Sequence, residues 1–208
     1  MQVRIVVVVC CALGVTLAYP YGAPVGSCLA MFPTGHGVNQ QTSAPPFQIQ
    51  VSQATYNPND VINVTLHTLA SDLYKYWEGV LLQARRVAGN MDEPIGTWTI
   101  MANDTNDLKT LNCSGINNSA VTHNVEKHYV TKVVQWTAPP QAQGHVKFRA
   151  TFVKNKVTFW VNVMSATVQD PTAEPITDNG KNGASSTRVI YGDVFVLATL
   201  CTLLKRML

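Results

Sequence analysis

VKFRATFVKNKVTFWVNV, residues 146–163, decides the fold class. Val146, Phe148, Ala150 and Phe152 alternate with Lys147, Arg149 and Thr151. After a turn signal at Lys154-Asn155-Lys156, the residues Val157, Phe159, Val161 and Val163 resume the same period. Successive side chains of an extended strand point to opposite faces, so this period marks strands with one buried face. Upstream, Phe47, Ile49 and Val51 alternate with Gln48, Gln50 and Ser52. Ile62, Val64 and Leu66 alternate with Asn63, Thr65 and His67. Residues 78–87, 97–101, 121–125 and 129–136 are further strand candidates. Turn signals separate them at Asn57-Pro58-Asn59-Asp60, Glu93-Pro94-Ile95-Gly96 and Pro139-Pro140. There is no long amphipathic helix and no internal repeat. Seven or more short strands between regular turns predict an all-β antiparallel sandwich.

Composition narrows the function classes. Of 208 residues, 46% are hydrophobic, enough to bury a core, and only 13% are charged. An ordinary soluble domain carries about 25% charged residues. A disordered chain and a nucleic-acid binder are both disfavoured, since the latter needs clustered Lys and Arg. The formal charge of +3 sits largely in the end segments. Residues 19–180 hold ten basic and eleven acidic side chains.

The ends read as addresses. Residues 1–18 have a positive start at Arg4, an apolar run over residues 5–15 and a small residue, Ala18, before Tyr19. That is the pattern of a signal peptide, with Tyr19 as the mature start. Residues 19–169 form the body, 170–188 a Pro/Gly/Asn-rich linker, and 189–208 an apolar tail ending in Lys205-Arg206-Met207-Leu208. Small residues at Gly183-Ala184-Ser185, a spacer and an apolar run fit a lipid-anchor signal, although the basic end departs from that pattern. A tail kept on a soluble protein and a short membrane span stay open beside it.

Cysteines and sequons set the compartment. Cys10 and Cys11 fall in the signal segment and Cys201 in the tail. That leaves Cys28 and Cys113 as an even pair in a secretory context, predicted to form one disulfide. Sequons occur at Asn63, Asn103, Asn112 and Asn117, which predicts a glycosylated surface.

The order and spacing of several segments carry a resemblance. They are Gly22-Ala23-Pro24, Cys28, Met31, Pro33 and His36-Gly37, then Gly79-Val-Leu-Leu-Gln-Ala-Arg85 and Gly96-Thr-Trp98. Leu111-Asn-Cys113, Ala120-Val-Thr-His123, Trp136-Thr-Ala-Pro139, the run from Gly144 to Phe152, and Phe159-Trp-Val161 complete the series. Together they resemble the reeler (reelin-type) domain over about residues 20–168. The resemblance implies an extracellular, immunoglobulin-like β-sandwich. It also implies insect-type defense proteins as the relatives of this size. The longer ferric-chelate reductase-like relatives add haem-bearing membrane parts.

No enzyme signature is present: there is no G-x-S-x-G, H-E-x-x-H, P-loop or G-x-G-x-x-G. No cofactor is expected. His36 reads as a loop histidine bonded to backbone or water. His123 and His128 are five apart, which sends them to opposite faces of a strand, and His67 and His145 add no ligand spacing. Trp98 and Trp136 read as core. Trp160 alternates out of the set Phe159, Val161 and Val163, so it is expected to face outward. Lys147 and Arg149 share the wet face of their strand. Trp160, Lys147 and Arg149 are therefore the candidate ligand contacts. The expected function is non-catalytic binding of microbial envelope glycans or lipids by a secreted or surface-held defense protein. Two alternatives are an anchored adhesion or matrix module contacting an extracellular protein, and a reeler-only relative of the reductases.

Overall fold

In the computed structural model, residues 19–69 and 73–175 are described. The signal segment, most of the linker and the tail lie outside them. Nine strands follow in chain order: β1 (Phe47–Val51), β2 (Val61–Thr68), β3 (Gly79–Arg86), β4 (Thr97–Ile100), β5 (Leu108–Cys113), β6 (Ile116–His123), β7 (Thr131–Thr137), β8 (Val146–Asn155) and β9 (Thr158–Met164). They form a four-stranded sheet, β1-β2-β7-β4, and a five-stranded sheet, β5-β6-β3-β8-β9. Every pairing is antiparallel. Among the described residues no helix is long and apolar enough to cross a membrane.

The alternating stretches behave as period two requires. In β2, Ile62, Val64 and Leu66 are buried while Asn63 faces out. In β8, Val146, Phe148, Ala150 and Phe152 enter the space between the sheets. Phe148 meets Trp98 and Trp136 edge-on at 5.5 and 5.4 Å. Phe152 stacks on Phe47 at 5.0 Å. The Trp136 indole N–H donates to the Ile95 carbonyl at 2.9 Å, which satisfies its polar atom inside the apolar layer. The neighbouring turn needs glycine. Gly96 has φ +67°, and a Cβ there would stand 2.4 Å from Trp136 Nε1.

β3 is different: from Gly79 to Arg85 every residue is buried. It lies between β6 and β8 with its even residues toward the other sheet. Its outer face is covered by a strap, residues 19–43, which packs Cys28 and Met31 onto Leu81, Cys113 and Ala120. The Cys28–Cys113 disulfide forms as expected and ties the strap to β5. β5 has no clear apolar alternation and was not legible as a strand. β6 begins at Ile116, five residues ahead of the expected start.

Candidate functional site

Trp160 is not the exposed aromatic that alternation predicts. Trp160 is 2% exposed. It packs edge-on against Phe47 at 5.4 Å and Tyr74 at 4.9 Å, and its N–H donates to the Ser43 carbonyl at 3.2 Å. The cause is a β-bulge. Phe152 pairs with Trp160 but Ala150 pairs with Val163, so β9 carries one extra residue between them. Asn162 takes a left-handed φ of +58° at that point. The phase flips, and Trp160 shares the inner face with Val163. Phe159 instead faces the strap, meeting Phe32 at 5.4 Å and His36 at 5.3 Å.

Lys147 and Arg149 are half-buried on the outer face of β8, as their alternation requires. In register they face Arg85 and Gln83 of β3. Arg85 is 3% exposed and is turned under the strap. Its guanidinium donates to Gln83 Oε1 at 2.7 Å, to the Cys28 carbonyl at 2.7 Å and to the Met91 carbonyl at 3.0 Å. Gln83 Nε2 donates to the same Cys28 carbonyl at 3.2 Å. Burial, and then the charge of Arg149 beside it, brings the Arg85 pKa down to about 10. It stays a cation at neutral pH. Arg149 is also desolvated, with its pKa lowered by burial and partly restored by Asp92. Its Nε is shielded from solvent and has no hydrogen-bond partner. This face thus holds three cations, Lys147, Arg149 and Arg85, with Asp92 as the nearby carboxylate. The other basic residues are engaged elsewhere: Lys154 lies over the Tyr76 ring at 3.4 Å and pairs with Glu78 at 3.5 Å.

The strap also forms one side of a half-open cavity of about 200 Å³ against the outer face of β3 and β8. Pro20, Pro24 and Met31 form part of its roof, with Leu81, Thr151 and Val153 on the sheet side. Strap residues are fastened one by one. The Tyr21 carbonyl accepts from Lys109 and the Ala23 N–H donates to Thr122 Oγ1 at 2.8 Å. Met31 accepts through its carbonyl from the Thr151 hydroxyl. Gly22, at φ +106°, comes so close that a Cβ would stand 2.6 Å from the His123 carbonyl.

The histidines separate. His123 is buried at the cavity edge, where Nδ1 accepts from the Val80 N–H at 3.2 Å and Nε2 donates to the Tyr19 carbonyl at 3.1 Å. That pair of partners defines the neutral tautomer. Burial, first of all, lowers its pKa. His128 stacks on Tyr76 at 3.5 Å and approaches Glu78 at 3.5 Å. His36 bonds the Lys156 backbone, and burial lowers its pKa. Among the described residues no three His, Cys, Asp or Glu side chains group as metal ligands. The four sequon asparagines are exposed: Asn63 on the outer face of β2, Asn103 between β4 and β5, and Asn112 and Asn117 on the β5–β6 hairpin.

The sequence missed the Arg85 clamp and the cavity. A signal for the clamp was present: Gln83 and Arg85 interrupt an otherwise apolar strand. Nothing local in the sequence marks the cavity, because its walls come from four separate segments.

A protein-family model described as "Reeler domain" matches residues 26–175. "Putative defense protein 2" of Antheraea mylitta is 39% identical over 76% of this chain and 94% of its own. A Samia ricini relative, "Putative defense protein Hdd11-like", is 36% identical over 81% of this chain and 98% of its own. Ferric-chelate reductase 1 of Mus musculus is 35% identical over 77% of this chain, which spans only 25% of that reductase. The crystal structure of the human F-spondin reeler domain superposes with a TM-score of 0.52 at 22% identity, over 64% of this chain and 94% of that one.

Proposed function

The chain belongs to the reeler family, and from that premise we propose that it is an extracellular protein of the defense response that binds microbial envelope components without catalysing a reaction. The observation that carries this reading is two-way coverage. The moth defense proteins align over almost their whole length with most of this chain. Whatever those proteins do is done by the part that aligns. The reductases align over about a quarter of their length, so their activity cannot be placed on that quarter.

The face that would meet an envelope is the outer side of β8. Lys147 and Arg149 lie there with the buried Arg85 charge beside them on β3. A phosphate or carboxylate meeting Lys147 and Arg149 would add negative charge to a face where Asp92 is the one carboxylate acting on Arg149. No sequon lies on β8, β9 or the strap.

The test is sedimentation of the full chain, secreted with its disulfide intact, with whole bacteria and with purified anionic envelope glycans and lipids. Saturable binding is expected, lost by roughly tenfold or more in a Lys147→Glu, Arg149→Glu variant that stays folded, and weakened by added salt. Absence of binding to every component would sink the defense reading. Self-association of the same material would then favour a protein contact.

A further inference from the structure

The cavity beneath the strap is not a flaw in the core. It lies outside the inter-sheet layer, on the far side of β3. Close-packed interiors hold few voids larger than a water molecule. A void persists where its walls cannot relax inward. Here they are fixed from both sides. Pro20, Pro24 and Pro33 stiffen the roof, and the roof is fastened to the sheet by the Cys28–Cys113 disulfide, the Met31–Thr151 and Ala23–Thr122 hydrogen bonds, and the arginine clamp on Cys28. The space is therefore preformed, which lowers the ordering cost of binding.

Its size and chemistry select an occupant. A dry aliphatic cavity of roughly 150 Å³ takes up benzene. About 200 Å³ accommodates one ring or a short alkyl chain. The walls are mainly apolar, with Ala23, Met31, Leu81 and Val153 among the lining residues. Two carboxylates, Glu78 and Glu126, stand in the lining against one ammonium, Lys156. Glu78 is already matched by Lys154. Glu126 has no ion-pair partner among the described residues, and it lies close enough to His123 to act on its charge. An apolar wall with an exposed carboxylate at its edge suits an organic ammonium, whose body is buried while its charge stays near water.

We infer that this cavity is a binding site for a small organic amine, with its ring or short alkyl body against Met31, Phe32, Leu81 and Val153 and its ammonium toward Glu126. The site is distinct from Lys147 and Arg149, so the charge-reversed variant of that face leaves it intact.

The experiment titrates the full disulfide-bonded chain with n-hexylammonium, hexanol and hexanoate, followed by NMR of the Met31 and Val153 methyls. Saturable shifts with hexylammonium at about millimolar or lower concentration are expected, with hexanoate weaker by about fivefold or more. Glu126→Gln brings hexylammonium down to the level of hexanol. Val153→Trp, which fills the space from β8, abolishes shifts with all three. Ser27→Leu does the same from the roof and serves if the tryptophan variant fails to fold. Three results overturn the assignment: no saturable shift with any probe, hexanoate binding as tightly as the amine, or undiminished binding in a folded cavity-filling variant.

Discussion

Between the sheets, Phe148 touches Trp98 and Trp136, Phe152 touches Phe47 and Trp77, and each ring is buried. On the far side of β3, Met31, Leu81 and Ala120 form a much thinner apolar layer under the strap. The inner layer is filled by aromatic volume: the Trp136 N–H is met by the Ile95 carbonyl, and the Trp77 and Trp98 N–H groups are buried there without a partner. The outer layer is held by a disulfide, a buried arginine and separate hydrogen bonds to strap carbonyls. Those directional ties hold a roof in place without requiring the space beneath it to be full. Stability thus resides mainly in the first layer, and room for a ligand in the second.

The comparison breaks most visibly at the disulfide. Cys28→Ser with Cys113→Ser removes a closure of 85 residues. On the chain-entropy model this costs roughly 4–5 kcal/mol. A large fall in the denaturation midpoint is expected, with the far-UV β signature kept at low temperature because the inner layer is untouched. An unchanged midpoint would mean that the strap is held by packing alone. Phe148→Ala attacks the other layer. Loss of a buried phenylalanine costs about 3–5 kcal/mol. It should lower stability while leaving hexylammonium binding intact wherever the protein remains folded. Arg85→Met is smaller, about 2–3 kcal/mol, because the Met91 carbonyl and Gln83 Oε1 lose a donor while Cys28 keeps the Gln83 amide. Urea denaturation read by Trp fluorescence measures both. If Arg85→Met costs more than Phe148→Ala, the clamp and not the aromatic layer is the main support of the sandwich.

How much of this was readable beforehand follows from where the information sits. Period-two alternation located β1, β2 and β8 because each has one wet face. The disulfide followed from the secretory cysteine count. Trp160 was misread because alternation cannot register a single inserted residue, and the bulge at Asn162 reverses the face of everything before it. β5 was missed because an edge strand with half-buried positions lacks a clean pattern. For the candidate sites, Lys147 and Arg149 were visible as a pair on one face. Their relation to Arg85 was not, since it depends on the β3–β8 register. The cavity depends on how residues 19–36 lie over a distant sheet, and no periodicity encodes that.

The smallest effect separates the two layers most cleanly. His123 is neutral, accepting from Val80 and donating to Tyr19, with Lys109 and Glu126 as the charges acting on it. Burial holds its folded pKa below the ordinary 6.5. The unfolded chain therefore takes up the proton first as pH falls. The stabilisation is complete above about 6.5 and is lost progressively below it, until the folded histidine also protonates. His36, shifted the same way by burial, adds to the slope. Protonation of His123 would turn an N–H of the ring against the Val80 N–H and loosen its hold near Tyr19. Amide exchange in residues 19–24 should then accelerate between about pH 7 and pH 5, beyond its ordinary pH dependence, while β2 and β7 amides show no such excess. His123→Gln should remove most of that excess. If strap and inner strands accelerate together, the two layers open as one cooperative unit and the division drawn between them fails.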